Sequence, residues 1–236
     1  MKTSSHKSFA LILLATLIVS LVPVRALEAA IVEPGFENEV VASGLVLATT
    51  IAFAEDGRIF IAEKGGAVRV VKNGALLPTP VITLTDVNTF GDRGLLGIAT
   101  DPDFMTNGYL YLSYTYENTP GANVGGEKTG RIVRVTVTGD TADESSKVVL
   151  MGTVGGDAVS PSCENFPITA DCIPSDSPSH SVGGLRFGPD GKLYATMGDG
   201  AHFDYADPRS LRAQNIDSLA GKVLRINTDG SAPAAN

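Results

Sequence analysis

The chain has 236 residues, with 26 acidic against 18 basic side chains and a formal net charge of −8. No basic stripe or run is present, which argues against nucleic acid as a partner and suits a soluble exported protein. The two cysteines show no Cys-x-x-Cys spacing and the three histidines are scattered, so a zinc pattern is lacking and no residue is assigned as a metal ligand.

The chain opens with Met1, Lys2 and Lys7, an apolar run over residues 9–22, and Val24-Arg25-Ala26. A charged leader, an apolar core and small residues at the minus-three and minus-one positions predict a secretory signal over 1–26, cut after Ala26. The run falls short of the roughly 20 apolar residues of a spanning helix. The remaining 27–236 is expected to be secreted or periplasmic, with no stable membrane span after cleavage, and long enough for one domain with a real core.

Residues 51–63 read as an apolar strand, an Asp56-Gly57 turn and a second strand, followed by an alternating run over 68–71. Residues 95–99 and 109–114 repeat that pattern around a longer turn containing Asp101, Asp103 and Asn107. A third copy lies at 185–197, with Gly188-Pro189-Asp190-Gly191 as its turn. Shorter runs follow each copy, at 81–84, at 131–137 with 148–151, and at 222–227. Short strands in groups of about four, recurring at roughly 45 to 50 residues, are the pattern of propeller blades. A β-sandwich also uses many short strands, but the copied turns favour an all-β propeller of four-stranded blades. About three to three and a half blades are present, fewer than the roughly 4 to 8 that close a ring, so the chain is expected to be part of a longer protein or a truncated product.

Residues 152–179, with four prolines and both cysteines, read as an insertion on the surface. In an oxidising compartment Cys163 and Cys172 most simply close a small loop as a disulfide. Beyond it, residues 207–219 offer a short helical turn.

The stretch 180–200, HSVGGLRFGPDGKLYATMGDG, places His180 before the first strand of the third hairpin and Asp199 after the second. Folding the hairpin brings imidazole and carboxylate to the same open end. A neutral imidazole accepts a proton near neutral pH, and a carboxylate on its other nitrogen fixes the tautomer and stabilises the imidazolium. The structural reading of the same residues is a turn aspartate and a surface histidine.

Three segments resemble the glucose/sorbosone dehydrogenase family of soluble quinoproteins. They are Gly91-Asp92-Arg93-Gly94-Leu95-Leu96-Gly97 with Asp101-Pro102-Asp103-Phe104, then residues 180–200, then Ala213-Gln214-Asn215 with Leu219-Ala220-Gly221-Lys222-Val223-Leu224-Arg225-Ile226. The resemblance implies a six-bladed propeller that holds pyrroloquinoline quinone (PQQ) near its axis with calcium, and that oxidises an aldose or related alcohol at the expense of an electron acceptor. By position, His180 matches the general base of that family, Asp199 the carboxylate supporting it, and Asp92 a polar position that touches substrate in some members. Ser179 stands where some members carry an acidic residue. The family's quinone-gripping arginines and lysine and its calcium loop have no match in this chain, so no cofactor-binding residue is assigned and the site is expected to be incomplete here.

Other constellations are weaker. His202 and Asp204 follow Asp199 closely and read as solvated loop residues. Asp101, Asp103 and Asn107 lack the later glutamate of an EF-hand. Gly125-Gly126 and Gly155-Gly156 precede no helix with a lysine. Two rival functions stand beside the dehydrogenase: a non-catalytic propeller that binds a protein or glycan through its loops, and a calcium-dependent hydrolase, for which a set of inward acidic ligands is wanting.

Overall fold

The computed structural model describes residues 34–119, 121–155 and 161–234. The leader reading over 1–26 lies outside them, as does 156–160 of the insertion. The chain divides into two units, Met1–Glu39 and Val40–Asn236. In the first, the described residues 34–39 are an exposed turn and irregular chain. The second carries every described strand.

Three antiparallel sheets follow one another along that second unit. The first contains β1 (Ala48–Phe53), β2 (Ile59–Glu63), β3 (Ala67–Lys72) and β4 (Ala75–Leu76) in that order, with β5 (Ile82–Thr83) also paired to β3. In the second, β6 (Leu95–Thr100), β7 (Tyr109–Tyr116) and β8 (Lys128–Thr138) run to β10 (Val148–Met151), while β9 (Thr141–Ala142) and β11 (Ile173–Ser175) pair elsewhere along β8. The third consists of β12 (Val182–Phe187), β13 (Leu193–Met197) and β14 (Val223–Ile226). The first strand of each sheet lies at its edge and packs on the first strand of the next, β1 on β6 and β6 on β12. Sheets joined in this way along a shared inner line are the blades of a propeller, here three of them, the third with three described strands rather than four.

Why the sheets stack is legible in β7 and β8. Leu110, Leu112 and Tyr114 alternate with Tyr111, and Val133, Val135 and Val137 with Ile132, so side chains of both parities are buried. One set joins Phe60, Val68 and Val70 in a core against the first sheet. The other joins Ile173, Leu185, Leu193, Ala195 and Ile226 in a core against the third. A middle blade covered on both faces needs apolar residues at successive positions, which explains its long apolar runs. The approach is close: a methyl on Gly97 would lie 2.5 Å from the Gly183 carbonyl oxygen.

The turn with Asp101 is structural. Asp101 Oδ1 accepts from the Asp103 N–H and from Asn107 Nδ2, both at 2.9 Å, and Oδ2 accepts from the Tyr111 hydroxyl at 2.7 Å. These bonds frame the short helix α1 (Phe104–Asn107). A buried polar group lies under the loops. Lys128 Nζ donates to Glu117 Oε1 at 2.8 Å and Asn88 Nδ2 to Oε2 at 2.6 Å. Burial pushes the Glu117 carboxyl up, but hydrogen bonds from Lys128, Asn88 and the Thr119 N–H together hold it below the ordinary glutamate value.

The stretch read as a surface insertion departs from that reading in its last third. Ile173–Ser175 forms the strand β11 against Lys128, Thr129 and Gly130, and Ser175, Asp176, Ser177 and Ser179 are all buried. A three-residue strand containing Pro174 is too short to show a period of two, and its serines and aspartate conceal burial because their polar groups are satisfied inside.

Candidate active site

His180 and Asp199 occupy the two ends of the β12–β13 hairpin. The Val182–Met197 pair closes the ladder. Two backbone bonds extend it: Gly198 N–H donates to Ser181 O at 2.9 Å, and Gly200 N–H to His180 O at 2.8 Å. The hairpin therefore holds the two side chains across from one another, with His180 Nδ1 3.0 Å from Asp199 Oδ1. A carboxylate only accepts, so the proton of the neutral ring belongs on Nδ1 and Nε2 is left as a free base. Asp199 Oδ1 also accepts from the Ala201 N–H at 2.9 Å, which fixes the carboxylate from its other side.

The backbone at His180 is strained. Its φ is +52°, a left-handed conformation that L side chains rarely adopt. Such a residue costs about 1–3 kcal/mol and persists only where its surroundings over-determine it. Gly198 is one of those surroundings, since a methyl there would overlap the His180 carbonyl. The His180 side chain is 47% exposed and that of Asp199 25%, so the pair is open to a ligand from solvent.

Two arginines anchor the segments around the pair, Arg212 directly and Arg93 through the 175–177 segment. Arg93, fully buried, donates from Nη2 to Gly126 O at 2.5 Å, to Ser175 O at 2.6 Å and to Ser177 O at 2.9 Å, and from Nε to Ser175 Oγ at 3.2 Å. Burial lowers its guanidinium to about 10, against the pull of Asp176 and Glu117. Arg212, in a 3₁₀ helix over Pro208–Gln214, donates from Nε to Asp199 O at 2.7 Å and pairs through Nη1 with Asp176. The segment between is laced to the far side of the hairpin: Ser177 N–H donates to Gly200 O at 3.0 Å and Ser177 Oγ to Ala201 O at 2.7 Å.

Asp92 is exposed, and its N–H donates to Pro178 O at 2.8 Å, which ties its loop to the segment two residues before His180. His202 is turned into its own loop. Its Nδ1 accepts from the Asp204 N–H at 3.2 Å and its ring stacks on Tyr205 with centroids 4.7 Å apart. Cys163 and Cys172 are joined by a disulfide. A cavity of about 260 Å³ lies between that disulfide loop, Leu219 and Arg212, and touches neither His180 nor Asp199. Among the described residues no group of three or more His, Cys, Asp or Glu is placed to hold a metal ion.

A succession of propeller blades with a hydrogen-bonded histidine and carboxylate at one open end defines a propeller of the kind that works through its loops. The chain belongs to the Glucose / Sorbosone dehydrogenase family, whose profile matches residues 46–236. It is 28% identical over 216 residues to quinoprotein glucose dehydrogenase B of Acinetobacter calcoaceticus, covering 85% of this chain and 41% of that protein. With the hedgehog-interacting protein of Mus musculus it shares 28% over 201 residues, 80% of this chain and 25% of that one. Among solved structures it is similar to a putative oxidoreductase (glucose dehydrogenase) from Thermus thermophilus, with a TM-score of 0.62, 29% identity, and coverage of 83% of this chain and 49% of the other. The chain thus spans less than half the length of these relatives.

Sequence reasoning passed over Arg93, Arg212, Asp176 and Ser162. Arg93 carried a signal, an arginine set directly before the apolar strand 95–100, where a charge must either face solvent or find internal partners. Asp176 and Ser162, whose hydroxyl donates to Asp176 Oδ1 at 2.7 Å, carried none, because only the fold brings Arg212 to Asp176.

Proposed function

We propose that this chain carries the proton-accepting half of a PQQ-dependent sugar dehydrogenase site, with an aldose or related alcohol as substrate. The observation that carries the reading is the 3.0 Å bond between His180 Nδ1 and Asp199 Oδ1, at positions that match the family. His180 Nε2 accepts the proton of a hydroxyl whose carbon is oxidised, and Asp199 stabilises the imidazolium that results. A positioned base of this kind contributes about 10²–10⁴ in rate. Asp92, on the loop tied to Pro178, is the polar group placed to meet the sugar.

The grip for the cofactor is another matter. PQQ carries carboxylates that call for free cationic side chains, and calcium calls for oxygen ligands. The two arginines beside the pair are engaged by carbonyls and by Asp176, and Lys64 Nζ donates to Gly91 O at 2.5 Å. These three cations are engaged within the protein, and only the proton transfer is derived from the described residues. An exported address accords with the leader pattern and with a disulfide.

The experiment is dye reduction by the purified chain with added PQQ and calcium across a panel of aldoses. With only half of the site present, weak reduction that needs PQQ in excess and saturates with one or more sugars is the expected result. A second reading, a propeller that binds a protein or glycan without turnover, draws on the similarity to the hedgehog-interacting protein. Silence toward every sugar from folded protein, together with measurable binding of a glycan or protein, would replace the first reading with the second.

A further inference from the structure

The disulfide loop and the His180–Asp199 pair are joined by a continuous chain of polar contacts. Ser162 caps the short 3₁₀ helix Cys163–Asn165, its Oγ accepting from the Glu164 N–H at 3.1 Å. The same hydroxyl donates to Asp176 Oδ1 at 2.7 Å. The other oxygen of Asp176, whose side chain is wholly buried, pairs with Arg212 Nη1. From there Arg212 Nε reaches the Asp199 carbonyl at 2.7 Å. Its remaining terminal nitrogen is buried without a hydrogen-bond partner and lies against Gly200, so the guanidinium is confined between the hairpin end and the loop. A buried arginine with a planar fork has little freedom once two of its edges are taken.

We propose that Arg212 is the positioning residue of the His180–Asp199 pair, and that the disulfide-closed loop Cys163–Cys172 sets Arg212 through Ser162 and Asp176. The inference rests on the reading of His180 as the proton acceptor. The physical reason is economical. Asp199 lies between two glycines, the most permissive backbone available, so the local Ala201 N–H holds its carboxylate while its backbone needs a further anchor against a strained, half-exposed histidine. Arg212 supplies that anchor by fixing the Asp199 carbonyl while the Ala201 N–H fixes the carboxylate. The disulfide restrains the ends of a loop without helical or strand periodicity, and so keeps the Ser162 hydroxyl on Asp176. Arg212 touches no substrate in this scheme and acts only through Asp199.

The test reads the imidazole rather than turnover. In protein labelled with ¹⁵N-histidine, at pH 8 and so above the ordinary imidazole range, the His180 signals are identified by their absence from His180→Gln. The intact protein is expected to show the His180 proton on Nδ1. Arg212→Ala is expected to lose that single tautomer for the mixture of a solvated ring, and Asp176→Asn and the Cys163→Ser/Cys172→Ser double variant to move in the same direction by less. Arg212→Lys, which keeps the charge and one of the two anchors, serves if the alanine variant does not fold, and is expected to fall between wild type and Asp199→Asn. In dye reduction the arginine variant is expected to lower kcat by about 10²-fold with KM little changed, the cost of misplacing a group by about 1 Å. A folded Arg212→Ala or Arg212→Lys protein with the Nδ1 proton fully retained overturns the role of Arg212. A disulfide variant whose His180 tautomer equals that of wild type overturns the link to the loop. The imidazole signals need neither quinone nor sugar, so a chain that oxidises nothing leaves this test intact.

Discussion

Replacing Arg93 by methionine removes the donor on which three carbonyls converge, those of Gly126, Ser175 and Ser177. A buried acceptor left without its partner costs about 1–3 kcal/mol, and bonds to a charged donor lie at the upper end of the range. The desolvation of the guanidinium disappears with it, which offsets part of that loss. The net destabilisation is expected at about 3–5 kcal/mol, a large share of the roughly 5–15 kcal/mol that holds a domain together. Urea unfolding of Arg93→Met beside wild type, with the slope of the transition checked for constancy, measures it. Arg93→Lys, which retains charge without the fork, is expected to recover less than half of the loss. A loss below about 1 kcal/mol for Arg93→Met would refute the reasoning, because it would place the three carbonyls on other donors.

The strain at His180 gives a prediction of unusual sign. His180→Gly relieves a left-handed residue and is expected to leave the chain as stable or up to about 1 kcal/mol more stable in urea, while proton acceptance is lost; a variant less stable by more than about 1 kcal/mol would deny that the backbone is strained. Gly198→Ala puts a methyl into the His180 carbonyl, and is expected to cost about 3 kcal/mol or more in the same measurement. Lys128→Met strands Glu117 in the interior at a cost of about 3–5 kcal/mol. The sign with pH follows from Glu117. In the wild type its carboxyl is held below 4.5, so its contribution is complete above that value and is lost as pH falls through the folded one. In Lys128→Met the stranded carboxyl is relieved by protonation, so the stability gap between variant and wild type should narrow from about pH 7 toward about pH 4.

Much of the blade pattern was legible because it rests on local signals. The hairpins at 51–63, 95–114 and 185–197 announce themselves by alternation and by Asp-Gly, Asn-Gly and Pro-Asp-Gly turns, and their repetition distinguishes a propeller from a sandwich. The meeting of His180 and Asp199 was legible for the same reason, since a hairpin of known register joins its own ends. What stayed hidden depends on long-range placement. Arg93 serves a strand 82 residues away, and Asp176 and Ser162 look in sequence like any polar loop. Burial of the segment 175–179 could not be read from its serines, because the partners that satisfy them lie across the hairpin at Gly200 and Ala201. The left-handed backbone at His180 leaves no mark in the sequence, because histidine, though found there more often than most side chains, adopts that conformation at only a small share of its positions.

The role of His180 is tested most directly by chemical rescue. Dye reduction with PQQ and a sugar that the wild-type chain oxidises would be measured for His180→Ala with and without added imidazole. The expected result is a loss of about 10²-fold or more in kcat, part of which returns in proportion to imidazole concentration because a free base enters the space the ring has left. Turnover by His180→Ala at the wild-type rate, indifferent to imidazole, would contradict the account, since the proton would then be accepted by another group.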